Sequence, residues 1–270
     1  MTYDLAIVMV VTNEVHPDCL ASVARARAAA SIRTCFVLVD HASDAFDAHS
    51  LARSHMPDAI VLCRDGNYGF GASCNRGARE VSARSYFFLN PDTILDDAQT
   101  LDRLAEALFS APKIGIVAPK IAYLDGTPQR TCRRFPSWYA PFVRRTALGN
   151  RGPWRRYGAH FLMEDVDLRT RRLVDWAQGS ALLVDADLFW ELGGFDERYF
   201  MYYEDVDLCR SAWARGRAVV YEPSVVLRHA YGQGSAKTKG LVRSVLTNRL
   251  ARAHIKSWFT YCAKWFLERV

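Results

Sequence analysis

Leu5-Ala6-Ile7-Val8-Met9-Val10-Val11, running straight into the polar Thr12-Asn13-Glu14, is the stretch on which the fold turns. An unbroken apolar run with no polar alternation describes a strand covered on both faces, as in parallel sheets packed between helices. The pattern recurs. Cys35-Phe36-Val37-Leu38-Val39 ends at Asp40-His41-Ala42-Ser43, Ala59–Cys63 is a third short run, and Tyr86-Phe87-Phe88-Leu89 ends at Asn90-Pro91-Asp92-Thr93. Helices are predicted between them at Pro17–Ala30 and Ala72–Ala83. This β-α-β-α alternation predicts an α/β fold: a doubly wound, mostly parallel central sheet flanked by helices, with ligands beyond the strands' C-terminal ends.

Outward from there, a helix is expected near Ala98–Phe109 and a strand near Ile114–Pro119. Between Tyr123 and Arg172, Pro, Gly, Trp and Arg dominate, which reads as an irregular insertion or lid. Regular structure resumes with Val174–Leu183, a helix at Ala186–Leu192, a Gly193-Gly194 turn and a helix near Asp205–Arg215. Strands around Ala218–Tyr221 and Val225–Leu227 precede a tail that reads as helical from Leu241. No internal repeat or low-complexity linker divides the chain.

The 270 residues are 50% hydrophobic and 24% charged, which excludes global disorder. No apolar run reaches the length of a membrane span, and the first residues lack the basic segment and cleavage site of a secretory signal, so a cytoplasmic location is expected. The seven cysteines are odd in number, scattered and without a C-x-x-C pair, against both a disulfide framework and a zinc site. Net charge is +6, unevenly spread. Arg130–Arg172 sets eleven arginines against three acids, and residues 231–270 set eight basic residues against Glu268 alone, leaving the rest acidic. Two basic regions on an acidic body imply an anionic partner: a phosphorylated ligand, a membrane surface or nucleic acid.

Three segments carry chemistry. Asp65-Gly66-Asn67-Tyr68-Gly69-Phe70-Gly71 is a glycine-bearing loop running into a helix start, with Asn75 one turn in, and such loops let backbone approach a ligand. It is no P-loop, since no G-K-[ST] follows, and the dinucleotide fingerprint is missing from the first βα turn. Asn90-Pro91-Asp92 places a carboxylate just past a buried strand in a stiff turn, suited to Mg²⁺ or Mn²⁺ bridging a diphosphate, though also an ordinary strand exit. Glu204-Asp205-Val206-Asp207 clusters three carboxylates at a helix N-terminus, where mutual repulsion raises at least one pKa unless a cation or the helix dipole relieves it. The aromatic run Tyr199-Phe200-Met201-Tyr202-Tyr203 before it would build a pocket wall.

Taken in order, Val11-Thr12-Asn13-Glu14, Val39-Asp40-His41-Ala42-Ser43, Asn67-Tyr68-Gly69-Phe70-Gly71 with Asn75, Asn90-Pro91-Asp92, Gly193-Gly194-Phe195-Asp196-Glu197, Glu204-Asp205-Val206-Asp207 and His229 resemble family-2 inverting glycosyltransferases. The likeness spans about residues 4 to 235, and the rhamnosyltransferase-like branch is the nearest. It implies a GT-A fold, a nucleotide-sugar donor (dTDP-rhamnose in that branch), a divalent cation, and a saccharide or lipid-linked glycan acceptor in cell-surface polysaccharide synthesis. By the resemblance, Thr12, Glu14 and Asp40 fall where base and ribose are held, and Asn67, Gly69 and Asn75 on the loop beside the nucleotide. Asp92 matches the metal-binding Asp of a D-x-D element whose first position is here Asn90, and His229 matches a late His completing that site. Asp205 matches the general base, with Glu204 beside it. The implied partition is a GT-A domain over residues 1–235 and a basic amphipathic tail over 236–270. Within the domain, a nucleotide-binding half spans about 1–120, the insertion 123–172, and an acceptor and catalytic half 173–235.

Two regions stay open at this stage. In the insertion, Arg130, Arg133, Arg134, Arg144, Arg145, Arg155 and Arg156 interleave with aromatics, fit for a lid over the diphosphate or a dock for a lipid-pyrophosphate acceptor. In the tail, Trp258, Phe259, Cys262, Trp265 and Phe266 are read as one stripe with Lys256, Lys264 and Arg269 alongside, which suits an anionic membrane surface or packing on the protein itself. A nucleotide- or nucleic-acid-binding protein without transfer activity is the reading of another class, but no helix-turn-helix, RNA-binding aromatic motif or zinc spacing supports it.

Overall fold

The computed structural model describes residues 2–145, 149, 151–230 and 248–267. Strands β1 (Leu5–Val11), β2 (Thr34–His41), β3 (Ile60–Arg64) and β4 (Ser85–Leu89) pair in parallel in the order β3-β2-β1-β4. Helices α1 (Pro17–Ala29), α2 (Ala48–Arg53) and α3 (Phe70–Ala78) connect them. The sheet continues past β4 through β10 (Ala181–Asp185), β6 (Ile114–Ala122), β11 (Ala218–His229) and β5 (Thr93–Leu95), with β8 (Arg172–Leu173) also on β11. β10 runs antiparallel to both neighbours, β6 and β11 are parallel, and β5 is antiparallel to β11.

Because β1 is buried along its whole length, alternate residues feed two cores. Ala6, Val8 and Val10 face α3, α7 (Ala186–Glu191) and α8 (Glu204–Ala214); Leu5, Ile7, Met9 and Val11 face α1, α2 and α4 (Thr100–Phe109). The directions have one consequence for the site. The C-terminal ends of β1, β2, β3, β4, β6 and β11 meet at one sheet edge, and β10, being reversed, brings its N-terminal end there, with Ala181 opposite Leu89.

The expected insertion is more regular than its composition implies. It holds α5 (Ala140–Arg145), α6 (Gly152–Phe161) and β7 (Cys132–Arg133), which pairs with β9 (Trp176–Ala177). Its apolar face, Tyr157 and Phe161 stacked at 6.3 Å, is masked in sequence by surrounding arginines. Helix α2 and strand β5 were not expected, and the two strands expected after Ala218 are one strand with a bulge between Glu222 and Val226.

The tail corrects an expectation. Residues 241–247, where it was to begin, and Arg269 lie outside the described residues, but α9 (Arg249–Cys262) and a π-turn at Ala263–Leu267 are described. The stripe that would meet a membrane is largely used in packing: Trp258 and Tyr261 are buried in the α8-side core, and Cys262 and Trp265 pack against it. Phe259 and Phe266 stay exposed. Among the described residues no helix is long and apolar enough to cross a membrane.

Candidate active site

Asp92 and His229 meet because of strand register. Thr93 of β5 stands opposite His229 of β11, and Ala230 N donates to Asp92 O at 2.9 Å. Asp92 Oδ1 then lies 3.0 Å from His229 Nε2. Gln129 orients the ring: its Nε2 donates to the carbonyl of His229 (2.9 Å), which turns its Oε1 toward His229 Nδ1 (3.1 Å). An amide oxygen only accepts, so Nδ1 carries a proton, and in the neutral ring the Nε2 lone pair faces the carboxylate. Asp92 Oδ1 is sheltered and accepts no hydrogen bond among the described residues.

Two electron-pair donors face to face call for a proton or a cation between them. Ligands at right angles on an ion with bonds of about 2.1 Å stand about 3.0 Å apart, which the 3.0 Å oxygen–nitrogen separation matches. Asp92 and His229 therefore fit a divalent cation. The described residues contain no cluster of three or more His, Cys, Asp or Glu for a metal, as expected where phosphate and water complete the shell.

Asp205 reaches the same edge through backbone. Its Oδ2 accepts from Gly179 N (2.9 Å) and its Oδ1 from Val206 N (2.8 Å). The next residue, Ser180, accepts from Asn90 N through its carbonyl (2.9 Å), and Asn90 lies two residues before Asp92. A hydrogen-bonded path thus ties the carboxylate of α8 to the turn bearing Asp92. Burial raises the Asp205 pKa, while the two amides and the nearby Arg133 guanidinium of β7 pull it down. Glu204 is pushed well up by burial and then by Asp205; its Oε2 accepts no hydrogen bond, and its Cβ faces Gly71 on α3. Both carboxyls are thus pushed toward the protonated form by burial, and Asp205 alone of the two has backbone amides and a guanidinium that oppose it.

The loop before α8 is strained. Tyr202 and Tyr203 both have positive φ, 68° and 70°, a conformation costing roughly 1–2 kcal/mol per L-residue. Such outliers persist only where the surroundings over-determine them. Gly69 is one such surrounding: with φ of 95°, it lies so close that a Cβ would sit 2.3 Å from Phe200 O, and Phe70 N donates to that same oxygen at 3.1 Å.

The other expected residues divide. Thr12 and Glu14 are exposed after β1, and Asn67 is exposed on its loop, where its Oδ1 accepts from Gly69 N (2.9 Å). Asp40 is buried and accepts from Ser43 N (3.1 Å) and Oγ (2.5 Å), closing the loop after β2. Asn75 lies on α3 with its side chain turned into the protein. It is fully buried, donating to Phe195 O (2.8 Å) and Glu197 Oε1 (3.0 Å) and accepting from Phe195 N (2.8 Å), so it fixes the Gly193-Gly194 turn. Asp207 likewise belongs to packing, held by Lys264 and Trp265. Sequence reasoning did not foresee Gln129, nor three contacts of residues it had quoted: Gly179 as a donor to Asp205, Arg133 as a neighbour of Asp205, and His41, which bridges Thr12 Oγ1 (3.2 Å) and Ser73 Oγ. Burial, then Arg64, lowers the His41 pKa and keeps the ring neutral.

A mostly parallel sheet with a reversed strand, β10, between β4 and β6 and an Asp–His pair at its C-terminal edge defines an α/β fold of GT-A type, and solved structures agree. A mannosyltransferase from Pyrobaculum calidifontis, solved with GDP-Man and Mn²⁺, superposes with a TM-score of 0.57 at 14% identity, covering 98% of this chain and 76% of its own. Glucosyl-3-phosphoglycerate synthase from Mycobacterium tuberculosis gives 0.57 at 16%, covering 97% and 80%. At such identities the likeness establishes fold alone. The family follows from sequence: the model described as Glycosyltransferase like family 2 matches residues 4–252, and the chain belongs to that family. It is 35% identical over 210 residues to the rhamnosyltransferase WbbL of Escherichia coli, covering 74% of this chain and 72% of that protein. It is 30% identical over 184 residues to the N-acetylglucosaminyl-diphospho-decaprenol L-rhamnosyltransferase of Mycobacterium tuberculosis, covering 64% of this chain but only 59% of the relative's length.

Proposed function

We propose that the protein is an inverting, metal-dependent glycosyltransferase of cell-surface glycan synthesis that takes rhamnose from dTDP-rhamnose. The acceptor is a glycan on a lipid diphosphate, met at the inner face of the membrane. Two relatives named as rhamnosyltransferases support the sugar, and the diphospho-decaprenol in one of those names supports the acceptor. The observation that carries the reading is the joining of Asp92–His229 to Asp205 through Asn90, Ser180 and Gly179 at one sheet edge.

Inversion needs a carboxylate to take the acceptor hydroxyl proton as that oxygen attacks the anomeric carbon from the face opposite the leaving group. Asp205 has that role, its charged form favoured by two amides and Arg133 against the burial that raises its pKa. Asp92 and His229, with Asn90 alongside, would hold Mg²⁺ or Mn²⁺, whose charge stabilises the departing nucleoside diphosphate. Thr12, Glu14, Asp40, Asn67 and Gly69 line the donor side, with base and ribose over the loops after β1 and β2. The catalytic unit is residues 1–235, and 236–270 is its tail.

The test is to incubate the protein with Mn²⁺, a polyprenyl-diphosphate-linked GlcNAc acceptor and a panel of dTDP-, UDP- and GDP-sugars. Rhamnosylated product with the opposite anomeric configuration is expected from dTDP-rhamnose. Transfer only from a UDP- or GDP-sugar would replace the donor. Absence of transfer, together with stabilisation by DNA or RNA but by no nucleoside diphosphate, would overturn the reading.

A further inference from the structure

The segment bearing Asp205 is held from outside by the tail. Lys264 Nζ donates to Asp207 Oδ2 (2.7 Å) and to Asp196 Oδ2 (3.2 Å), so one ammonium joins both ends of the stretch that contains Tyr202, Tyr203, Glu204 and Asp205. Trp265 Nε1 donates to Asp207 Oδ1 at 2.6 Å. Within the stretch, Ser257 Oγ donates to Met201 O (2.8 Å), His254 packs on Tyr202 and Tyr203 with centroids 5.0 and 5.4 Å apart, and Tyr261 lies 5.2 Å from Tyr203. Arg210 of α8 donates to Tyr261 OH at 2.6 Å.

These contacts bear on the backbone least able to hold its own shape. Two successive tyrosines with positive φ form the hinge into α8. Relaxed to ordinary φ values, they would rotate the first turn of α8 and take Asp205 Oδ2 off Gly179 N. A buried carboxylate such as Asp207 gains most from a partner fixed at close range. We propose that the tail is a clamp that aims Asp205, with Lys264, acting through Asp207 and Asp196, as its positioning residue. The inference rests on Asp205 being the general base.

The experiment compares full-length wild type with Lys264→Met, Lys264→Arg, and the double variant Lys264→Met/Asp207→Asn, which leaves no carboxylate buried without its partner. Loss of kcat by about a hundred-fold is expected in both Met variants, the cost of a misaimed group. KM for the nucleotide-sugar and calorimetric binding of the nucleoside diphosphate with Mn²⁺ should stay unchanged, and the Arg variant should recover part of the rate. Amide exchange over residues 197–206 should quicken in the Met variants. Wild-type kcat in the double variant would overturn the proposal, as would a loss of kcat matched by an equal loss of nucleotide binding. Unchanged exchange would also overturn it, and this readout needs no turnover. If the wild type transfers no sugar at all while exchange still quickens, the reading of the reaction fails and the clamp stands.

Discussion

At Asp205, two backbone amides and a guanidinium work against burial, and the residue's chemistry follows from which side prevails. Asp205→Asn keeps the shape but cannot take a proton; transfer should fall by roughly 10²–10⁴-fold, while calorimetric binding of nucleoside diphosphate is retained. Since burial raises the pKa of the base above 3.8, the rate should fall on acidification at a higher pH than for an ordinary Asp. The limb belongs to the Glu204–Asp205 pair rather than to one group, and a pH series of kcat/KM locates it. Glu204 gives a stability prediction of definite sign. Its folded pKa is raised from 4.5, so the folded state binds the proton more tightly than the unfolded chain. Stability is then lost as pH climbs from about 4.5 through the folded value. Glu204→Gln should remove that loss, so its thermal midpoint should exceed wild type by a margin that widens as pH rises above about 4.5.

At the scale of elements, the site depends on side chains that touch no ligand. Asn75→Ala strips partners from Phe195 N and Phe195 O in the core; each buried group left unpaired costs about 1–3 kcal/mol, and urea titration should show the loss. The parallel strands were legible because an unbroken apolar run as short as Leu5–Val11, closed by polar residues, suits a strand covered on both faces and little else. Strand β5 was not, since Thr93-Ile94-Leu95 is too short to show a period and exists only because β11 offers it an edge. Asp92, Asp205 and His229 were recognisable from the residues around them, but their geometry was not. Gln129 and Gly179 act through a carbonyl, an amide oxygen or a backbone amide brought by distant pairing, which leaves no local trace. Asn75 sat in a ligand-like motif yet points inward, because residue type does not state direction. The tail's aromatic stripe stayed ambiguous for a related reason: one periodicity serves a bilayer or a protein face, and the contacts of Lys264 and Trp265 with Asp207 belong to the second.

For the molecule as a whole, donor and cation should bind together. As the proposed cation holders, Asp92 and His229 would supply only part of a coordination shell, so Mn²⁺ alone should shift the melting temperature little and a nucleoside diphosphate with Mn²⁺ much more. At free nucleotide 100 times its Kd the gain is about 2.7 kcal/mol, and each kcal/mol moves the midpoint of a chain this size by roughly 2–4 °C. Scanning fluorimetry with and without EDTA checks the difference; equal shifts in both would remove the cation from the site.

The reversed strand β10 also orders the molecule's assembly in time. Every described strand paired with β6 comes later in the chain: β10 begins at Ala181 and β11 at Ala218. A nascent chain that has emerged only as far as the insertion carries Ile114–Ala122 with both margins bare and β4 with one. The gap is filled by residues made some sixty positions afterwards, and the segment that fills it also delivers Gly179 to Asp205. Closure of the sheet and then completion of the centre therefore both wait on residues beyond 180, the centre on His229 at the end of β11, and a product truncated before them would combine an unfinished site with an aggregation-prone slot.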